Sequence, residues 1–286
     1  MSNRIKGIIL IILSAFGFAM MSAFVKLSGD LPSMQKAFFR NIVSFVIALG
    51  MIIYHKESFF GKKESQRLLI MRSALGTLGV ILNFYAIDHL ILSDANMLNK
   101  LSPFFVILFS AIFLKERLQL RHIIIIAVGF LGSLLIIKPA FSVDVIPYLI
   151  GLSSAIFAGS AYTCLRAIGN REKHYTVVFY FSCFSVVTIF SFMIFSYTPM
   201  TLIQFTYLIL AGIFATIGQL GITLAYKYAP AKEISIFDYS NIIFSAIISM
   251  VIFNQSPDII SILGYIVIFS ASLYMFVYNK KLDNLK

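Results

Sequence analysis

The sequence predicts an all-α integral membrane protein in which ten transmembrane helices form two inverted five-helix repeats. Three observations carry that expectation: an apolar composition, basic residues confined to alternate connectors, and an internal match between the two halves. The 286-residue chain is 59% hydrophobic and 12% charged, with a mean hydropathy of +0.92. Water-soluble domains hold about 45–50% apolar and about 25% charged residues. A soluble globule, a disordered chain and a disulfide scaffold are therefore excluded. The net charge of +11 would suggest nucleic acid in a soluble chain, but here the cations sit in short runs between apolar stretches. That is the pattern of cytoplasmic loops, so no nucleic-acid partner is expected.

A bilayer core about 30 Å thick needs roughly 20 apolar residues per helix. Apolar stretches of that length fall at 7–26, 34–54, 68–87, 94–114, 120–138, 146–165, 176–196, 203–225, 233–253 and 258–278. The first exceeds the apolar core of a signal peptide, about 7–15 residues, and is read as a helix that stays. Short connectors carry turn chemistry: SGDLPS at 28–33, KPAF at 138–141, YTPM at 197–200, YAPAKE at 228–233 and NQSPD at 254–258.

Seventeen Lys and Arg residues lie at the ends and connectors of one side, from Arg4 and Lys6 through Lys56, Arg121 and Arg171 to Lys286. The other side has only Lys26 and Lys138. The positive-inside rule then places both termini in the cytoplasm of a cell inner membrane and requires an even number of spans. Cys164 and Cys183 fall within apolar stretches, so no extracellular disulfide framework is implied.

Two halves, 1–140 and 141–286, overlay almost without gaps. A shift of 139 sets Gly76-Thr77-Leu78-Gly79 on Ala215-Thr216-Ile217-Gly218, Asn99-Lys100 on Asp238-Tyr239, and Leu114-Lys115-Glu116 on Phe253-Asn254-Gln255. A shift of 140 sets Ser14-Ala15 on Ser154-Ala155 and Lys26 on Arg166. Five spans per half is an odd number, so the second half must be inverted. Inverted repeats with a midplane site are a common architecture of secondary transporters.

The stretch FYAIDHLILSDANMLNKLSPFFVILFSAIFLKERL at 84–118, its counterpart LAYKYAPAKEISIFDYSNIIFSAIISMVIFNQ at 224–255 and AFFRNIVSF at 37–45 resemble an EamA-type domain of the drug/metabolite transporter superfamily. The resemblance covers nearly the whole chain. Gln255 departs from it where the first half has Glu116. It implies ten helices around a central cavity, lined mainly by the first four helices of each half. It also implies transport of small organic solutes, with the fifth helices turned to packing or to homodimer contacts.

Charges inside the bilayer cost about 2.5–3.5 kcal/mol each on insertion scales, so each requires a reason. Lys36, Arg40, Arg72, Lys100 and Asp238 lie within the spans. Asn96, Asn99, Lys100 and Pro103 follow i, i+3, i+4, i+7 spacing and share a helix face. Pro103 frees a backbone carbonyl about one turn earlier. Lys100 either lines a cavity or snorkels along its stem. Asp238 and Tyr239 align with Asn99 and Lys100 across the repeat, so a cation and an anion reach the same region. Either the two bind substrate or they form a structural ion pair that offsets two desolvation penalties.

Lys36, Arg40 and Ser44 form a polar stripe on span two. Lys36 is expected to snorkel, while Arg40 either grips a carboxylate or phosphate through its planar fork or satisfies carbonyls of a neighbouring helix. Arg72, about a turn from the basic edge, is expected to anchor at the interface. Gln219, Thr223 and Tyr226 make a further stripe on span eight. The serine stripes of spans one and six read as helix packing.

His55, His89, His122 and His174 flank connectors, and no HExxH, CxxC or GxxxxGK[ST] motif occurs. No enzyme, metal or cofactor is expected. The expected function is a secondary transporter of a small polar metabolite by alternating access, the substrate being an amino acid or a zwitterion such as S-adenosylmethionine. Its candidate binding residues are Lys100, Asp238, Tyr239, Asn96, Asn99, Arg40 and Gln219. A flippase for a lipid or lipid-linked sugar is the alternative.

Overall fold

The computed structural model describes residues 3–115, 120–137, 145–228 and 234–284. Glu116, the 138–141 connector and most of 228–233 lie outside them, as do the side chains of Thr223, Tyr226 and Ser235. Every described element is helical. The chain runs through α1 (Asn3–Leu27), α2 (Ser33–His55), α3 (Gln66–His89), α4 (Leu92–Asn99), α5 (Ser102–Leu114) and α6 (Leu120–Ile137). It continues with α7 (Ile146–Ile168), α8 (His174–Ser196), α9 (Leu202–Tyr228), a 3₁₀ turn at Ser235–Tyr239, α10 (Ser240–Phe253) and α11 (Ile259–Asn284). Among the described residues nine helical segments are long and apolar enough to span a bilayer, and Phe237–Phe253 forms a shorter tenth.

Spans four and nine, read from sequence as continuous helices, are each broken. Lys100 and Leu101 separate α4 from α5, and Pro103 sits in the first turn of α5. There its missing N–H is of no consequence, because the first helical N–H groups have no intrahelical acceptor. Pro103 thus opens a new helix instead of kinking an old one. The second half makes the corresponding break with a 3₁₀ turn ending at Tyr239. Both broken spans then end alike. Lys115 (φ 55°) and Asn254 (φ 51°) are left-handed C-caps, their N–H groups bonded to the Ser110 and Ser249 carbonyls respectively. The same shift of 139 relates both pairs, so the repeat extends to cap geometry.

Packing obeys the same symmetry. Helix α1 lies along α9, and its repeat mate α7 lies along α3; likewise α2 against α9 mirrors α8 against α3. Helices α2 and α8 meet directly, as do α6 and α11. The halves therefore interlock instead of standing side by side. Lipid offers no hydrophobic drive for helices to associate, so close approach through small residues must supply it. A Cβ placed on Gly17 would lie 2.9 Å from the Gly218 nitrogen and 3.0 Å from the Phe214 carbonyl oxygen. Nearby, Ser14 Oγ donates to the Gly218 carbonyl at 2.6 Å.

Both ends of the bundle are tied across the halves. At the end poor in basic residues, Gln35 Nε2 donates to Thr198 O at 2.9 Å, and Thr198 N donates back to Gln35 Oε1 at 3.0 Å. Gln204 Nε2 also donates to Ser28 O. At the basic end, Tyr175 OH donates to Glu57 Oε1 at 2.9 Å, and Lys62 N to Glu172 Oε1 at 2.8 Å. Gln35 and Tyr175 are 140 residues apart, so each half fastens the start of its second helix to the other half.

Gly17→Leu is expected to force α1 from α9, at the roughly 1–3 kcal/mol of an overpacked core. Gly50→Leu, with nothing within 4 Å of its Cβ, is expected to be neutral. Thermal unfolding of the detergent-purified chain separates the two.

Candidate functional site

The two broken spans meet at their breaks. Lys100 Nζ contacts Asp238 Oδ2 at 2.5 Å, joining the halves by a charge-assisted bond. The pair is not fully buried: its side chains are 15% and 22% exposed. Asp238 Oδ1 is buried and has no hydrogen-bond partner. Tyr239 OH donates to the Lys100 carbonyl at 3.2 Å and also contacts Ser272 Oγ, while its ring meets Phe269 edge-on. The carbonyl released by the break in span four is thus held by the residue that corresponds to Lys100 in the other half.

A belt of amides surrounds this junction. Asn96 Nδ2 donates to Ser245 Oγ at 2.9 Å, and Asn96 Oδ1 accepts from Ser22 Oγ at 3.2 Å. Asn99 Nδ2 donates to Ser154 Oγ at 3.2 Å, and Asn241 Nδ2 to Ala15 O at 2.9 Å. These bonds link α1, α4, α7 and α10 around the breaks. In a medium without water such groups need partners supplied by neighbouring helices.

Of the residues singled out from sequence, Lys100, Asp238 and Tyr239 are in contact, and Asn96 and Asn99 flank them. Arg40 is elsewhere, on α2, buried, with Nη1 donating to Asn41 Oδ1 at 2.5 Å. Gln219 is half-buried on α9. Two expectations need correction. Lys36 does not snorkel; it is fully buried and paired with Asp88 Oδ1 at 2.5 Å. Arg72 is not an interfacial anchor: it is buried, its guanidinium 4.0 Å from the Phe181 ring centroid.

Sequence reasoning also missed two acids. Asp88 neutralises Lys36, and Asp94, buried at the start of α4, accepts from Tyr265 OH. Both lie at span ends, where an acid reads as a connector residue. The i, i+4 lines that bring Asp88 level with Lys36 run on different helices, so periodicity alone carries no signal for the pairing.

A recess of about 350 Å³ between α6 and α11 is lined by Arg121, Ile125, Val128 and Tyr274 and by neither Lys100 nor Asp238.

Interlocked inverted repeats, broken spans and an interhelical charge pair at the breaks define a multi-pass membrane transporter. Residues 5–138 and 145–277 each match the model of the EamA-like transporter family, so the chain belongs to that family, within the drug/metabolite transporter superfamily. It is 32% identical to the pseudopaline exporter CntI of Pseudomonas aeruginosa over 94% of this chain and 95% of that one. It is 28% identical to human solute carrier family 35 member G1 over 88% of this chain and 73% of the relative. Identity to the riboflavin transporter of Brucella anthropi is 29%, over 86% of this chain and 88% of that one. A solved crystal structure superposes with a TM-score of 0.68 at 14% identity, covering 96% of this chain and 98% of its own, a likeness of fold alone. The chain is a transporter and not an enzyme.

Removing one member of the central pair strands the other. Asp238→Ala is expected to lower the unfolding temperature of the purified protein, and Lys100→Gln/Asp238→Asn together to recover most of it. Equal stability of all three would mean that the contact holds nothing together.

Proposed function

We propose that this transporter moves a small polar organic metabolite by alternating access, its solute held at the Lys100–Asp238 contact with Tyr239, Asn96, Asn99 and Gln219, and met by Arg40 of α2 at a separate point of the same path. The carrying observation is the partly exposed Lys100–Asp238 contact between the two breaks, with one carboxylate oxygen left unpartnered. A zwitterion can exchange with that contact, its acid group taking Lys100 and its amino group taking Asp238, so that neither protein charge is left bare. An amino acid or a zwitterion such as S-adenosylmethionine fits this exchange. The names of the pseudopaline exporter and the riboflavin transporter support a polar organic solute, and the former supports outward movement.

The ties at the two ends supply the gates. Release of the Gln35–Thr198 clamp with the Tyr175–Glu57 bond kept opens one side, and the reverse opens the other. Residues 1–140 and 141–286 are the two domains that rock. Both termini lie in the cytoplasm of the cell inner membrane, an orientation supported by the basic connectors at Lys56, Lys62, Lys63 and Arg67. Homodimer contacts fall to α6 and α11, whose exposed faces carry Leu120, Ile123, Leu131, Ile259 and Ile266.

Purified protein in liposomes, given labelled amino acids, nucleoside-like metabolites and lipids, tests the reading. Asp238→Asn and Lys100→Gln are each expected to slow solute flux about tenfold or more, the loss of one charge-assisted hydrogen bond, while the protein stays monodisperse. Undiminished flux in both variants, or movement of lipid alone, would defeat it. With Cys164 and Cys183 replaced by Ser, a cysteine at position 63 should be shielded from an impermeant maleimide in intact cells, and one at position 199 labelled. The opposite pattern would invert the topology.

A further inference from the structure

Two other cations within the spans are each given a carboxylate by the fold: buried Lys36 has Asp88, and partly exposed Lys100 has Asp238. Arg40 and Arg72 are treated differently. They are only 4% and 9% exposed, yet neither makes an ion pair with an Asp or Glu among the described residues. Arg40 donates from Nη1 to the neutral Asn41 and leaves Nε without a partner. Arg72 leaves both Nε and Nη1 without partners. Both reach the same stretch of α8: Asn41, which accepts from Arg40, donates on to Ser185 Oγ at 2.7 Å, one turn from the Phe181 ring that covers Arg72. Further polar atoms are stranded on α3 and on α8, which packs against it: Ser73 Oγ and Thr77 Oγ1 on α3, and Ser182 Oγ on α8, next in sequence to the Phe181 whose ring covers Arg72.

Magnitudes decide what this means. A guanidinium over an aromatic face gains about 2 kcal/mol when desolvated, whereas burying an ion still costs several kcal/mol after relaxation. Two like charges in one region add repulsion. Helix packing therefore leaves the pair under-compensated. Its free N–H donors and nearby hydroxyls match an anion with several acceptor oxygens.

We propose that Arg40 and Arg72 form an anion station separate from the Lys100–Asp238 contact, and that the transported solute carries two negative charges there, as two carboxylates or one phosphate. This rests on the transport reading and narrows its substrate class. The central pair is neutral in sum and suits a zwitterionic head of such a solute, while the arginines, doubly positive, hold its acidic end.

Thermal unfolding of the full chain in neutral detergent, titrated with citrate or inorganic phosphate and with lysine as a cationic control, tests the station without requiring transport. Citrate or phosphate should raise the unfolding temperature by mass action, and lysine should not. Arg40→Gln and Arg72→Gln should each need about tenfold or more of the anion for the same rise, whereas Lys63→Gln, at an exposed position, should respond as the wild type does. Without anion, the arginine variants should unfold at or above the wild-type temperature, since each sheds an uncompensated charge. Lower unfolding temperatures in both would make the arginines structural and overturn the proposal. So would a wild type that ignores both anions, or arginine variants that respond at wild-type concentrations. The lipid source is separated in nanodiscs of phosphatidylcholine with and without phosphatidylglycerol: stabilisation by the anionic lipid alone overturns the solute assignment. Failure here leaves the flux tests at Asp238 and Lys100 standing, and failure there leaves anion binding measurable.

Discussion

A polar group within a bilayer has no water to fall back on, and the contact between Lys100 and Asp238 is where this chain meets that constraint most economically. Each residue sits at the break of a span, where main-chain hydrogen bonding is already interrupted. Each comes from a different half. One bond thus neutralises two charges, fastens the halves, and still leaves Asp238 Oδ1 open. Burying such a pair gives little net stability. On the proposed transport reading, its value lies in being an interaction that a ligand of matching charge can replace.

The rest of the architecture serves that junction. Because α1 and α7 of the two halves cross over to lie against α9 and α3, the breaks are brought together from opposite sides. The amide belt from Asn96, Asn99 and Asn241 then connects rigid helices through short, replaceable bonds and not through apolar interdigitation alone. The end ties among the described residues are polar, so under the proposed alternating access opening one side parts hydrogen bonds of modest net worth, about 1 kcal/mol each. An equilibrium between two such states lies within reach of a ligand's differential affinity.

The architecture was legible because it rests on simple periodic facts: span length, charge asymmetry and the 139-residue repeat. Contact between Lys100 and Asp238 was legible for the same reason, since the repeat aligns Asn99-Lys100 with Asp238-Tyr239. What stayed hidden depends on partners from helices with no sequence relation. Lys36 looked free to snorkel because Asp88 sits at the far end of another helix. Arg72 looked interfacial because depth counted along α3 ignores Phe181 arriving from α8. The break in span four was announced by Pro103, although only as a freed carbonyl within one continuous helix; the break in span nine contains no proline and has no local signal.

The departures from symmetry are as informative as the symmetry. The broken spans repeat in backbone, down to the left-handed caps at Lys115 and Asn254, although α2 ends in a left-handed cap at Lys56 and α8 in an extended one at Tyr197. The charged side chains at the breaks do not repeat: Lys100 corresponds to Tyr239, and Asn99 to Asp238. Had both halves kept Lys at this position, two cations would face each other across the axis; had both kept Asp, two anions. By placing a cation on one half and an anion on the other, the chain obtains attraction between its halves and a site with distinct poles. A duplicated scaffold therefore supplies two matching halves, and divergence at a few polar positions supplies a polarity between them that, on the proposed reading, would orient a solute as a perfectly symmetric pair could not.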